Sequence, residues 1–213
     1  MSKIFIVGDS IAYGKWDPEG GWTARFRRDI DARFNMGKRT NLLVYALGVP
    51  SEPVVRLVDR LQSELGVRMD GNGKNLLILN SGLNDSCPNN KVTGELTPPE
   101  TFRQAYGECI DIGRELGCEV VALGLTPVNP ERSQGLLFSN ELVAKYDGYV
   151  SEVCREKDVP KIGLFDTLTR ENFPDFLDSD SAHPNGAGHE LVFVLIRDFL
   201  DREGMIERLT SVI

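Results

Sequence analysis

Only two histidines occur in the 213 residues, His183 and His189, so the search for a general base is short. His183 stands in Asp180-Ser181-Ala182-His183-Pro184-Asn185. A carboxylate three residues upstream on one loop can fold back onto the imidazole Nδ1–H. That contact fixes the tautomer and stabilises the imidazolium that forms when the ring takes a proton. The same stretch also describes a solvated Asp-rich loop beside a helix N-cap, so it needs a partner. Ser10, in Gly8-Asp9-Ser10 at the end of an apolar run, supplies a hydroxyl that such a histidine could activate as a nucleophile. The alternative is that Asp9 or Ser10 caps a turn. The order Ser…Asp…His suits a hydrolase, yet no G-x-S-x-G elbow occurs, which argues against the α/β-hydrolase fold.

Acyl chemistry also needs N–H donors aimed at the oxyanion of a tetrahedral intermediate, and losing one costs on the order of 10²–10³ in rate. Gly48 follows the run Leu42–Leu47 and offers a backbone N–H with no side chain in the way. Asn84, in Ser81-Gly82-Leu83-Asn84-Asp85, offers a carboxamide. Each alone is an ordinary turn residue.

Other chemistry-bearing residues read more plainly. His189 sits at the start of a helical stretch and suits capping or packing. Asp85 suits bracing the Asn84 loop through backbone N–H groups, and Asp9 is a supporting residue of the same kind. Cys87 lacks a histidine partner of its own. Trp16 could line the mouth of a pocket, whereas Trp22 belongs to a helix stripe. The pairs Glu52/Asp59 and Glu141/Asp147 read as solvated helix charges.

These groups need elements that bring them together. Five apolar runs, Ile4–Val7, Leu42–Leu47, Leu76–Asn80, Val120–Leu125 and Ile162–Phe165, are nearly continuous rather than alternating. That pattern predicts strands buried on both faces of a parallel sheet. Helical spacing lies between them: Trp22, Phe26, Ile30 and Phe34; then Val54, Val55, Val58, Leu61 and Leu65; then 102–116, 142–153 and 191–200. Gly14, Pro18, Gly20 and Gly21 predict that no helix starts after the first strand before about Trp22. The alternation predicts one domain over residues 1–213, a doubly wound α/β sandwich. Its two longest irregular segments, 86–99 and 126–138, should lie at the carboxyl edge of the sheet, where such folds bind ligands.

Taken in order, Gly8-Asp9-Ser10, Gly48, Gly82-Leu83-Asn84-Asp85 and Asp180-Ser181-Ala182-His183-Pro184 resemble the four blocks of the SGNH hydrolase (GDSL lipase/esterase) superfamily. The resemblance spans nearly the whole chain. It implies a flavodoxin-like three-layer α/β/α sandwich on a parallel sheet of about five strands, and hydrolysis of carboxylic esters with neither metal nor cofactor. It further implies Ser10 as nucleophile, His183 as general base and Asp180 as its orienting partner. The oxyanion hole would comprise the N–H groups of Ser10 and Gly48 and the side chain of Asn84. One block departs from the pattern: where the family often reads Asn-x-Gly-x-x-Gly, this chain has Ala46-Leu47-Gly48-Val49-Pro50-Ser51.

Composition narrows the partners. Lys and Arg total 24 against 32 Asp and Glu, a formal charge of −8. Such a chain has no basic footprint for nucleic acid and is repelled on average by anionic membranes. No apolar run approaches the ~20 residues of a membrane span, and Met1-Ser2-Lys3 precedes only four apolar residues before Gly8, too few for a secretory signal. The expectation is a soluble, cytoplasmic protein acting on a small-molecule ester, with an unspecified oligomeric state. The four cysteines show no zinc spacing and read as reduced thiols. Three rivals remain: an acyltransferase or carbohydrate O-acetylesterase with the same triad, a flavodoxin-like nucleotide or flavin binder, and a catalytically silent interaction domain. The acids Asp9 and Asp17 in the first strand-to-helix loop disfavour a phosphate cradle there.

Overall fold

The five apolar runs become five parallel strands: β1 (Ser2–Gly8), β2 (Leu42–Gly48), β3 (Asn75–Asn80), β4 (Cys118–Leu123) and β5 (Lys161–Ile162). The computed structural model describes residues 1–37, 41–71, 73–132, 135–180 and 182–210. Ser181 of the Asp-x-x-His stretch, and Ser133 and Gln134 of one long loop, lie outside the described residues. The sheet order is β2-β1-β3-β4-β5. Buried side chains fill both faces of its central strands, and every residue of β3 is buried. This explains why the runs are continuous rather than alternating.

Helices cover the two faces. On one, α3 (Val54–Gly66) packs on α4 (Pro99–Glu115), and α4 on α5 (Asn140–Glu156). On the other, α2 (Gly21–Ile30) packs on α7 (Gly186–Arg202), and α7 on α8 (Met205–Thr210). The result is the three-layer, single-domain α/β/α sandwich expected. The chain steps outward from β1 to β2, then returns past β1 to β3. The carboxyl ends of β1 and β3 therefore border the point where the winding reverses, the usual ligand crevice of an open α/β sheet.

Several local expectations need correction. A helix does start before Trp22: α1 (Ser10–Tyr13) begins at Ser10, because the Asp9 carboxylate accepts Ile11 N–H at 2.9 Å and caps it. Gly14, at φ +82°, then ends α1 after one turn. The fifth strand stops at Ile162, and Leu164 and Phe165 instead open α6 (Leu164–Arg170) after the break at Gly163. On α3 the fully buried stripe is Val54, Leu57, Leu61 and Leu65, while Val55 and Val58 are half-buried. Two of the supposedly solvated acids are not solvated. Glu52 is buried and pairs with Arg60 at 2.6 Å, and half-buried Asp147 pairs with Lys161 at 2.6 Å and accepts Leu125 N–H at 2.8 Å. Asp59 and Glu141 are exposed.

Candidate active site

The strand register sets the stage. Gly8 lies opposite both Gly48 on β2 and Asn80 on β3, so three strands end side by side. The approach is too close for side chains. A Cβ on Gly8, at φ +152°, would sit 1.9 Å from the Asn80 carbonyl oxygen. One on Gly48 would sit 2.3 Å from Tyr13 N and 2.7 Å from Asp9 O. Glycine at both positions lets α1 rest directly on the ends of its neighbours.

Ser10, the first residue of α1, is 6% exposed. Its Oγ lies 2.7 Å from His183 Nε2. On the far side of the ring, His183 Nδ1 lies 2.6 Å from Asp180 Oδ2. Asp180 Oδ1 accepts the backbone N–H groups of Ala182 at 3.1 Å and His183 at 2.9 Å, which folds the turn tightly enough for the carboxylate to reach the ring. Burial pushes the Asp180 carboxyl up, but the ring and backbone donors of His183 outweigh it and hold the group well below the usual carboxylate range. A carboxylate that stays charged here keeps the Nδ1 proton facing it, and so leaves the Nε2 lone pair for the serine O–H.

Asn84 follows β3 in a short 3₁₀ turn, half-buried, and its Nδ2 donates to Asp9 Oδ2 at 3.3 Å. Asp9 is fully buried. Burial pushes it up to about 7, against the bond from Ile11 N–H, while the charges of Asp85 and Glu52 add to the rise. Asp9 thus touches both α1 and the Asn84 side chain, linking the two strand ends. Asp85 braces two loops: its carboxylate accepts Val54 N–H at 3.0 Å, and Thr97 Oγ1–H at 2.6 Å from the segment that follows Asn84. Burial pushes Asp85 up to about 6, opposed by those two bonds.

His189 stands apart from this group. It is wholly buried, its Nδ1 accepts Trp22 N–H at 3.3 Å, and burial lowers its pKa to about 4, so it is neutral near pH 7. Cys87 is buried with its pKa raised by desolvation, and its thiol lies 3.4 Å from Asn89 Oδ1. Trp22 is core; Trp16 is 57% exposed and donates its indole N–H to Asp180 Oδ2 at 2.8 Å. That contact joins residues 164 apart in sequence, so spacing alone could not reveal it. Asn90 and Thr97 also escaped sequence reasoning. Asn90 Nδ2 donates to the Asn84 carbonyl at 2.8 Å, and its Oδ1 caps the following turn through Val92 N–H at 2.7 Å. An Asn between turn residues was the only signal available.

In the altered second block, Ala46 lies exposed on the edge strand β2, and Ser51 adopts φ +65°. That left-handed backbone is one glycine adopts without strain and serine only at a cost. A small cleft of about 110 Å³ opens beside His183 and Asp180, walled by Lys15, Trp16, Lys91 and Leu136. Among the described residues, no group of three or more His, Cys, Asp or Glu could hold a metal ion, and no helix is long and apolar enough to cross a membrane.

The sequence profile of the GDSL-like lipase/acylhydrolase family matches residues 6–191. The chain belongs to that family. It is therefore a serine-type carboxylic ester hydrolase, and its substrates are small-molecule esters. Solved structures of like fold include a lipase/acylhydrolase from Enterococcus faecalis, 24% identical with TM-score 0.74, matched over 95% of this chain and 97% of that one. A lipolytic G-D-S-L family protein from Veillonella parvula is 18% identical with TM-score 0.72, over 95% and 100% of the two chains. An acetylxylan esterase from Geobacillus stearothermophilus is 13% identical with TM-score 0.73, over 92% of each chain. Comparison with curated proteins by sequence gave no match. At these identities the structural likeness speaks for the fold, and the family profile for the chemistry.

Proposed function

We propose that this GDSL-family enzyme hydrolyses esters through an acyl-enzyme on Ser10. His183 takes the Ser10 proton as Oγ attacks the ester carbonyl, then returns it to the departing alkoxide. Asp180 holds the ring in the tautomer that makes this possible and stabilises the imidazolium between the two transfers. The N–H groups of Ser10 and Gly48 and the Asn84 carboxamide receive the negative charge that develops on the carbonyl oxygen. Water activated by the same histidine then releases the acid. The observation that carries this reading is the unbroken relay from Ser10 Oγ through the imidazole to Asp180, at 2.7 and 2.6 Å. Asp9 and Asp85 support the site without touching substrate: one caps α1 and holds Asn84, the other anchors the loop behind it.

A carbohydrate O-acetyl ester is a second reading with specific support. The cleft beside His183 is small and mixes lysines with an exposed indole. Aromatic faces suit sugar rings, and one structure of like fold is an acetylxylan esterase, of which variants described as catalytic mutants replace a serine or a histidine with alanine.

A panel of nitrophenyl esters of rising acyl length, run beside acetylated sugars and with added alcohol acceptors, tests these readings. Free acid as the main product in every reaction supports hydrolysis, and dominant transfer to the acceptor would support the acyltransferase instead. Activity surviving in Ser10→Ala would contradict the acyl-enzyme.

A further inference from the structure

The turn that carries the acid and base is closed upon itself. Among the described residues, Asp180 receives the Ala182 N–H, the His183 N–H and the His183 ring from its own four-residue stretch. Those bonds fix the carboxylate relative to the imidazole but not the pair relative to Ser10. Backbone bonds from Asp178 N–H to His183 O and from Asn185 N–H to Phe176 O, each at 2.8 Å, hold the turn to the preceding segment. Two side-chain contacts tie it to the β1 side: Ser10 Oγ to His183 Nε2 at 2.7 Å, and Trp16 Nε1 to Asp180 Oδ2 at 2.8 Å.

Trp16 is an unusual residue for its place. Its φ of +70° lies in the left-handed region that bulky L residues rarely adopt, and its ring is 57% exposed, so it does not fill the core. The loop beneath it is firmly held. Lys15 N–H donates to Ser10 O at 3.0 Å and Asp17 N–H to Gly14 O at 3.3 Å. The buried Asp17 carboxylate accepts Glu19 N–H and Gly21 N–H, each at 3.1 Å, and pairs with Arg25. The Lys15 ammonium sits 4.8 Å from the indole centroid, and the indole meets the His183 ring edge-on at 6.5 Å. A rigid loop leaving the nucleophile thus presents one N–H to the carboxylate that orients the base.

We infer that Trp16 is a positioning residue that tethers the Asp180–His183 pair to the nucleophile loop, and that it matters most after Ser10 has been acylated. This rests on the acyl-enzyme reading above. Once Oγ is esterified it has no proton to donate, so its bond to His183 is lost. Among the described residues, the indole N–H is then the remaining side-chain tie from that loop, at the step where His183 must activate water. Losing it should slow deacylation more than acylation.

The test is Trp16→Phe, which keeps an aromatic ring and removes the donor. With 4-nitrophenyl acetate, whose leaving group makes acylation easy, kcat should fall about tenfold, the size of one hydrogen bond to a charged group. KM should fall with it, kcat/KM should change less, and the burst of nitrophenol should grow. The low-field proton resonance of His183 Nδ1–H, read without any substrate, should shift. Unchanged kcat with an unchanged resonance overturns the tether. So does an equal loss in kcat and kcat/KM accompanied by a lower melting midpoint, the mark of mere structural support. Full activity in Ser10→Ala would instead contradict the acyl-enzyme, which separates the two failures.

Discussion

The two halves of the proposed active site are built differently. The nucleophile half, Gly8 to Tyr13 with Gly48 and Asn84, hangs on the sheet: three strand ends in register, two glycines admitting close backbone contact, and a buried aspartate joining the parts. The acid–base half is one turn, Asp180 to His183, shaped mostly by hydrogen bonds within four residues. The first half is fixed by non-local packing and tolerates almost no change of backbone. The second half is fixed by local chemistry and depends on a few long-range contacts for its placement. Damage should therefore show differently in the two: as lost chemistry with intact stability in the turn, and as mixed losses at the strand ends.

The largest effect should come from the turn. Asp180→Asn keeps the shape but can present an amide N–H to Nδ1, which favours the wrong tautomer. We expect kcat to fall by about 10⁴-fold with little change in melting midpoint. A loss under tenfold would mean that the carboxylate only shapes the turn.

Asn84→Ala comes next. A donor aimed at the developing oxyanion stabilises the transition state more than bound substrate, so kcat should fall by roughly 10²–10³ with KM little changed. Asn84→Asp should be worse, because it sets a negative charge beside the oxyanion. Asp85→Asn is the control. It disturbs bonds to Val54 and Thr97 within a buried site, and should cost about 1–3 kcal/mol of stability with a smaller effect on kcat. A rise in KM alone in Asn84→Ala would assign Asn84 to substrate binding.

The smallest effect is a dependence on pH. Burial raises Asp9 from its ordinary 3.8 to about 7, so the folded protein holds this proton where the unfolded chain releases it. The stability contributed by protonated Asp9 is complete below about pH 4 and is lost as pH rises through about 7. Asp9→Asn has no such proton to lose. Its melting midpoint relative to the native protein should climb between pH 4 and 7, then level off. A constant difference across that range would show that Asp9 is not held protonated by burial.

Much of this was legible because it depends on residue type at strand ends. The continuous runs of β1 and β3 announced a doubly covered sheet, and the four short blocks carried the resemblance to the family whose profile matches residues 6–191. What escaped was set by competition. Turn-rich composition after Ser10 argued for a loop, yet one capping carboxylate at Asp9 and one left-handed glycine at Gly14 suffice for a single helical turn. Glu52 and Asp147 looked like solvated helix charges because their partners, Arg60 and Lys161, matter only once the helices dock. Trp16 could be read as a pocket-mouth residue, but its bond to Asp180 exists only after two loops 164 residues apart have met.

If Ser10 Oγ is the atom that carries the acyl group, a reagent directed at activated serines should mark it. An organophosphonate or sulfonyl fluoride probe, followed by peptide mass spectrometry, tests it most directly. One label per chain is expected, on Ser10, with activity lost in proportion to labelling and no label on Ser10→Ala. Label on Cys87 or on another serine, with Ser10→Ala fully active, would contradict it.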